Sequence, residues 1–185
     1  KTLTLEEKRE GIRCFLDFGG IYENSTVWVN GKEAGGHKYG YSSFRLDVTE
    51  LVREGENRIE VRVDNTGTPS DRWYSGAGIY RTVRWIETEE IHLDEKEVII
   101  HTGVEGKNGK VTVYTGLPGR TVRAGLRDGE QEWQAQTDDG RMEILVPEAK
   151  LWSAEEPNLY ELTLSLMDGE REMDRLSFCV GIREI

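Results

Sequence analysis

The sequence is short of the residues that staple, break or span. It holds two cysteines, Cys14 and Cys179, and four prolines among 185 residues. So few cysteines exclude a disulfide framework. A chain of this length removes roughly 70% of its unfolded surface from water on folding and needs no such staples. Each cysteine sits in an alternating apolar stretch, so both are expected as reduced core thiols, which fits a cytoplasmic location. No apolar run approaches the roughly 20 residues that cross a bilayer as a helix. No N-terminal stretch has the make-up of a secretion signal. Positive charge is in deficit: 24 basic residues stand against 35 acidic ones, a net charge of −11. A surface that negative repels phosphate backbones and anionic lipid, so neither nucleic acid nor membrane is an expected partner. The three histidines, His37, His92 and His101, lack metal-ligand spacing, and neither C-x-x-C nor H-E-x-x-H occurs. No metal and no cofactor are expected.

A sustained helical period is also missing. Leu3 to Arg9 and Pro147 to Glu156 are the best helical candidates, each a turn or two at most. What is present is alternation. Ile12, Cys14, Leu16 and Phe18 fall on one face of a strand, as do Val27 and Val29, then Phe44, Leu46 and Val48, then Ile59, Val61 and Val63. Val111 and Val113 repeat the pattern, followed by Leu162, Leu164 and Leu166, and by Leu176, Phe178, Val180 and Ile182. Side chains of a strand point to opposite faces in turn, so a half-buried strand reads this way. Asn30-Gly31, Asn108-Gly109, Asp128-Gly129, Asp139-Gly140 and Asp168-Gly169 punctuate the runs. Such pairs tolerate positive φ and suit type I′ hairpin turns. The fold class is therefore all-β and antiparallel, most simply β-sandwiches. A boundary is expected near Thr88-Glu89-Glu90, dividing residues 1–88 from 89–185. The first part has long aromatic loops, Gly35 to Tyr41 and Asn65 to Ile79. The second has regular strands and short turns.

Motifs for chemistry are mostly missing. There is no G-x-S-x-G elbow and no P-loop. Gly76-Ala77-Gly78 opens like a dinucleotide fingerprint but lacks its third glycine and a following helix. Adjacent acids such as Glu6-Glu7, Glu89-Glu90, Asp138-Asp139 and Glu155-Glu156 read as solvated surface, because nothing near them would raise a carboxyl pKa. One stretch differs. Residues 65–84, NTGTPSDRWYSGAGIYRTVR, combine Trp73, Tyr74 and Tyr80 with Asp71, Arg72 and Arg81. Aromatic faces stack on the C–H face of a sugar ring while Asp and Arg hydrogen-bond hydroxyls. The alternative is structural: Trp73 and Tyr80 fill a core or a seam, with Arg81 paired to an acid.

A long series of motifs then points to one family. Phe18-Gly19-Gly20-Ile21-Tyr22 leads into Thr26-Val27-Trp28-Val29-Asn30-Gly31-Lys32, then Gly35-Gly36-His37, Gly40-Tyr41, Phe44 and Asp47-Val48-Thr49. Gly55-Glu56-Asn57, Val61 to Asn65 and Arg72 to Arg81 follow in order. This first half resembles the N-terminal, sugar-binding jelly-roll domain of glycoside hydrolase family 2, which includes β-galactosidases, β-glucuronidases and β-mannosidases. The second half, with Leu151-Trp152-Ser153, Pro157-Asn158-Leu159-Tyr160 and Gly181-Ile182-Arg183, resembles the immunoglobulin-like domain that follows it. The Arg72-Trp73-Tyr74 and Gly76 to Arg81 form looks most like β-galactosidase-type members.

The resemblance implies a partial jelly roll, galactose-binding-like, followed by an immunoglobulin-like sandwich. It implies that the two catalytic glutamates of a retaining mechanism sit in a (β/α)₈ barrel beyond Ile185, and that this chain is a non-catalytic fragment lacking the jelly roll's opening strands. Its expected partners are that barrel, in the same polypeptide, and a β-linked saccharide bound by the whole enzyme. A homo-oligomer is also open. By resemblance, an acid in the loop before Gly78 reaches the sugar in some relatives. Asp71 is the nearest acid, but ungapped counting puts Arg72 at that position, so Asp71, Arg72 and Trp73 are the candidate substrate-binding residues. Three readings remain: part of a β-galactosidase-like hydrolase (or of a β-glucuronidase- or β-mannosidase-type one), an autonomous carbohydrate-binding module, or a plain structural sandwich.

Overall fold

Alternating apolar residues separated by glycine turns leave the chain one economical solution, strands packed face to face. The computed structural model describes residues 1–67 and 76–184. Its elements are all strands: β1 (Thr2–Leu5), β2 (Ile12–Phe18), β3 (Ile21–Tyr22), β4 (Ser25–Val29), β5 (Lys32–His37), β6 (Phe44–Asp47), β7 (Gly55–Val63), β8 (Gly78–Ile79) and β9 (Val83–Glu89), then β10 (Ile99–Glu105), β11 (Asn108–Tyr114), β12 (Thr121–Asp128), β13 (Gln131–Thr137), β14 (Arg141–Val146), β15 (Tyr160–Asp168) and β16 (Arg171–Val180). Two compact units result, Lys1–Ile91 and His92–Ile185.

In the first unit, a sheet of order β1-β7-β4-β5 lies across a core from a sheet of order β6-β2-β9, with a small β3-β8 pair beside them. Leu16, Phe18, Val27, Val29 and Val48 fill that core. β2 departs from simple alternation, because Phe15 and Asp17 on its other face are also buried. Register explains Asp17. It lies opposite Arg45 of β6 and Arg84 of β9. Arg45 Nε donates to Oδ1 at 3.3 Å and Arg84 Nη2 to Oδ2 at 2.8 Å.

The second unit has seven strands in two sheets, β10-β11-β14 and β13-β12-β15-β16. This is an immunoglobulin-like arrangement. Its core runs through Val111, Val113, Val122, Leu126, Ile144, Leu162, Leu164 and Ile182.

Several expectations change. Neither helical candidate is a helix: Thr2–Leu5 is a strand paired with β7, and residues 147–156 form a loop. Pairing won over local pattern. Only Asn30-Gly31 has positive φ at both turn positions, 52° and 80°. Asn108-Gly109 is not a turn but the start of β11; the two-residue turn is Gly106-Lys107. Gly109 is needed for a different reason: a Cβ there would fall 2.8 Å from that of Ala149. After β12 and β15, Asp128 and Asp168 still belong to the ladders, and Gly129 and Gly169 take the first turn position at φ 59° and 60°. That is the type II′ signature rather than type I′. Finally, Cys14 is buried but Cys179 is exposed, and both are free. Cys179 lies between Phe178 and Val180, which face inward, so the period of two turns it outward. Burial and then the charge of Glu87 push the Cys14 thiol pKa up, which keeps it protonated and unreactive.

Candidate functional site

The first unit's motifs separate into clamps and exposed loops. Asn30 and Asn57 are clamps. Asn30 Nδ2 donates to Leu51 O at 3.0 Å and to Asn57 Oδ1 at 2.9 Å, and its own Oδ1 accepts from Arg58 N. Asn57 is fully buried, and its amide donates to Arg53 O and Gly55 O while its Oδ1 also accepts from Arg53 N. Asp47-Val48-Thr49 ends β6 in a similar way: Thr49 donates twice to Asp47 Oδ1, and its hydroxyl accepts from Cys14 N at 2.9 Å. These residues hold the loops; their polar atoms are engaged by the fold.

The exposed part is aromatic. Tyr39, Tyr41 and Tyr80 keep 63%, 55% and 46% of their surface. Tyr41 is the hub, meeting Tyr22 edge-on at 5.5 Å, Tyr39 at 5.8 Å and Tyr80 at 6.5 Å between ring centroids. The Tyr80 hydroxyl donates to Gly40 O at 2.8 Å, tying the loop after β5 to the segment after β8. Arg81 lies over the Tyr80 ring at 5.2 Å, a cation–π contact. Two glycines make room: a Cβ at Gly20 would meet the Tyr80 ring, and one at Gly40 the Tyr22 ring, both closer than 3.0 Å. Below the cluster His37 stacks on Phe44 at 4.9 Å and shares a 2.7 Å hydrogen bond with Ser42.

Sequence reasoning singled out Tyr80 and Arg81, and the structure brings them together. Tyr80 is 46% exposed and fills no core of this chain. Asp71, Arg72 and Trp73, and Tyr74 with them, lie outside the described residues. What sequence reasoning missed is that Tyr22, Tyr39 and Tyr41 join the same cluster. The aromatic loop Gly35 to Tyr41 was the signal for Tyr39 and Tyr41, but only folding brings residues 22, 41 and 80 side by side.

The site offers stacking surfaces, one guanidinium and hydroxyls. Among the described residues it offers no paired acid and base. Asp64, Glu132, Asp139 and Glu172 have carboxyl pKa values held low by hydrogen bonds from Thr66, Gln134, Thr137 and Arg175 respectively. At Asp47 desolvation pulls upward, yet Thr49 and Arg13 outweigh it. A general acid needs the opposite shift. No group of three or more His, Cys, Asp or Glu among the described residues could hold a metal ion. A depression of about 620 Å³ on the outer face of the β13-β12-β15-β16 sheet is lined by Arg123, Arg127, Gln134 and Arg175. Its arginines pair with Glu170, Glu132 and Glu172, as a solvated sheet face does.

Fold and site together define a tandem β-sandwich protein whose first sandwich presents aromatic loops. Residues 1–89 match the sugar binding domain of glycosyl hydrolases family 2, and residues 85–183 match the second family module, glycosyl hydrolases family 2. The chain belongs to that family. It is 34% identical over 204 residues to a β-galactosidase of Bacteroides ovatus, covering 99% of this chain and 24% of that protein. It is 26% identical to a β-glucuronidase of Bacteroides fragilis, covering 99% and 30%. The crystal structure of a β-glycosidase from Bacteroides vulgatus superposes with a TM-score of 0.85 at 26% identity, covering 99% of this chain and 25% of that one. The chain spans 19% to 36% of the length of the curated relatives it matches.

Proposed function

We propose that residues 1–185 are a non-catalytic portion of a longer retaining glycoside hydrolase, acting on β-galactosides, with the tyrosine-rich loops flanking the active site of a catalytic domain in the same polypeptide. The observation that carries this is the match of both units, end to end, to the two family modules, on a chain that spans about a third or less of most such relatives. A retaining mechanism needs two carboxyl groups roughly 5 Å apart, one of them raised in pKa. The aromatic cluster supplies sugar-stacking surface and not that pair. Asp71, Arg72 and Trp73 are the residues assigned to substrate contact, supported by Tyr80 and Arg81 a few positions further on. β-Galactosides are preferred over β-glucuronides and β-mannosides on the form of the Arg72 to Arg81 motif. A cytoplasmic location belongs to the same proposal, supported by two free thiols.

The test is hydrolysis of aryl β-galactoside, β-glucuronide and β-mannoside by the 185-residue chain and by the longer product of its gene. The longer product hydrolyses the galactoside fastest and the short chain hydrolyses none. Turnover by the short chain would overturn the assignment of catalysis elsewhere.

The exposed tyrosines favour one second reading, an autonomous carbohydrate-binding module. Calorimetric titration with galactose and lactose separates the two. An open half-site buries too little of a sugar for tight binding, so millimolar affinity or none is expected. Micromolar binding that disappears in Trp73→Ala would favour the module.

A further inference from the structure

Orientation, and not only exposure, decides what a group of tyrosines can bind. Gly40 is buried, and its carbonyl accepts the Tyr80 hydroxyl at 2.8 Å. The residues on either side of it, Tyr39 and Tyr41, therefore stand on a pinned backbone and are exposed. Tyr22 fills the space beneath, since its ring lies where a Cβ of Gly40 would fall. Rings fixed before a ligand arrives remove part of the ordering cost of binding. These rings are not coplanar. Tyr41 is inclined 62° to Tyr39 and 68° to Tyr80, with centroids 5.8 and 6.5 Å apart. A flat array of rings suits the flat face of a crystalline polysaccharide, and rings inclined like these cannot lie on such a face together. They can each meet a different unit of a chain that turns from one sugar to the next, because every pyranose has its own apolar C–H face. Arg81 stands beside them. It lies over the Tyr80 ring at 5.2 Å and pairs with no acid among the described residues. Its N–H groups are left to donate to ligand hydroxyls.

We propose that Tyr39, Tyr41, Tyr80 and Arg81 bind successive units of a soluble, flexible β-galactosyl oligosaccharide, beyond the residue being cleaved. The whole enzyme then prefers longer chains to short ones. The ring angles disfavour a flat, insoluble polysaccharide as the occupant. A net charge of −11 disfavours an anionic glycan, so the chain bound is neutral. The inference rests on the reading that these loops flank the active site of a β-galactoside hydrolase, and it adds the length and shape of the substrate. An open cluster holds a sugar weakly by itself, so its contribution is read in the turnover of long substrates.

The test uses the longer product of the gene, supplied with aryl β-galactoside and with β-linked galactobiose, galactotriose and galactotetraose. From galactobiose to galactotetraose kcat/KM rises by about fivefold or more, through a falling KM. In Tyr39→Ala and Tyr41→Ala that rise shrinks to about twofold or less. Tyr39→Phe and Tyr41→Phe keep it, because the ring carries the contact. Hydrolysis at one rate for every length overturns the proposal. So does a rise that survives both Ala substitutions, or one that is lost in both Phe substitutions. Retention of the 185-residue chain on microcrystalline cellulose, abolished by Tyr41→Ala, also overturns it, since the rings would then share a flat face. Absence of all activity on β-galactosides overturns the galactoside reading and the inference with it, a result distinct from activity without length dependence.

Discussion

Strands β12, β14 and β15 of the second unit alternate buried and outward residues almost without interruption, and the polar residues buried there are the neutral threonines Thr112, Thr115 and Thr137. The first unit gives buried positions to Asp17, Ser25 and Asn57. The turns differ likewise. Two-residue turns at Gly106, Gly129 and Gly169 join strands of the second unit, while the first carries a longer loop from Lys38 to Ser43. A regular sandwich is specified by apolar alternation alone. Long loops expose backbone groups that must find partners, and buried side-chain amides and carboxylates supply them. The unit with the polar clamps is also the one that presents the aromatic site, as expected where recognition residues sit on loops held by a rigid scaffold.

Mutations that act through one mechanism and not the other sharpen this contrast. The largest effect belongs to the apolar core. Leu164→Ala removes a side chain with no exposed surface and lowers the second unit's stability by about 4 kcal/mol. Urea unfolding resolved by amide exchange should show the loss in residues 92–184. Asp17→Ala comes next. It leaves the Arg45 guanidinium, 12% exposed, without its Asp17 partner, at a cost of about 3 kcal/mol to the first unit. A first unit indifferent to this change would refute the polar clamp as a stabilising device. Asn57→Ala is expected to cost about 2 kcal/mol, because it orphans Arg53 N and takes partners from Asn30 and the Gly55 carbonyl. Its further signature is faster amide exchange through residues 51–58, with no change in the second unit.

The smallest effect is electrostatic. Desolvation at Asp47 is outweighed by the Thr49 and Arg13 hydrogen bonds, so its folded pKa lies below the ordinary 3.8. A depressed carboxyl contributes stability that is fully present above the unfolded pKa and is lost as pH falls through the folded value. The first unit should therefore lose this contribution as pH is lowered below about 4. Asp47→Asn should flatten that part of the acid titration of stability. An unchanged profile would show that Arg13 and Asp47, each 42% exposed, are screened by solvent.

Period-two patterns in the sequence were enough to establish an all-β chain, the core faces of β4, β11 and β15, and the Asn30-Gly31 hairpin. These depend on neighbours in sequence, where side-chain direction follows from the backbone alone. The family motifs were legible too, but not their division of labour. That Asn57 is a clamp and Tyr41 an exposed hub depends on which residues lie beside them, and those are distant in the chain. The same holds for the failures. Leu3 to Arg9 has a passable helical pattern, yet Thr2–Leu5 is a strand because β7 offers it a ladder. Asn108-Gly109 has turn chemistry, yet it pairs as strand because Gly106 turns the chain earlier. Nothing beside Asp17 in the sequence marks it for burial; the register of β6 and β9 places an arginine on either side of it. Local sequence determines which way a side chain points; only long-range pairing decides what it meets there, because that contact requires two segments to close the loop between them.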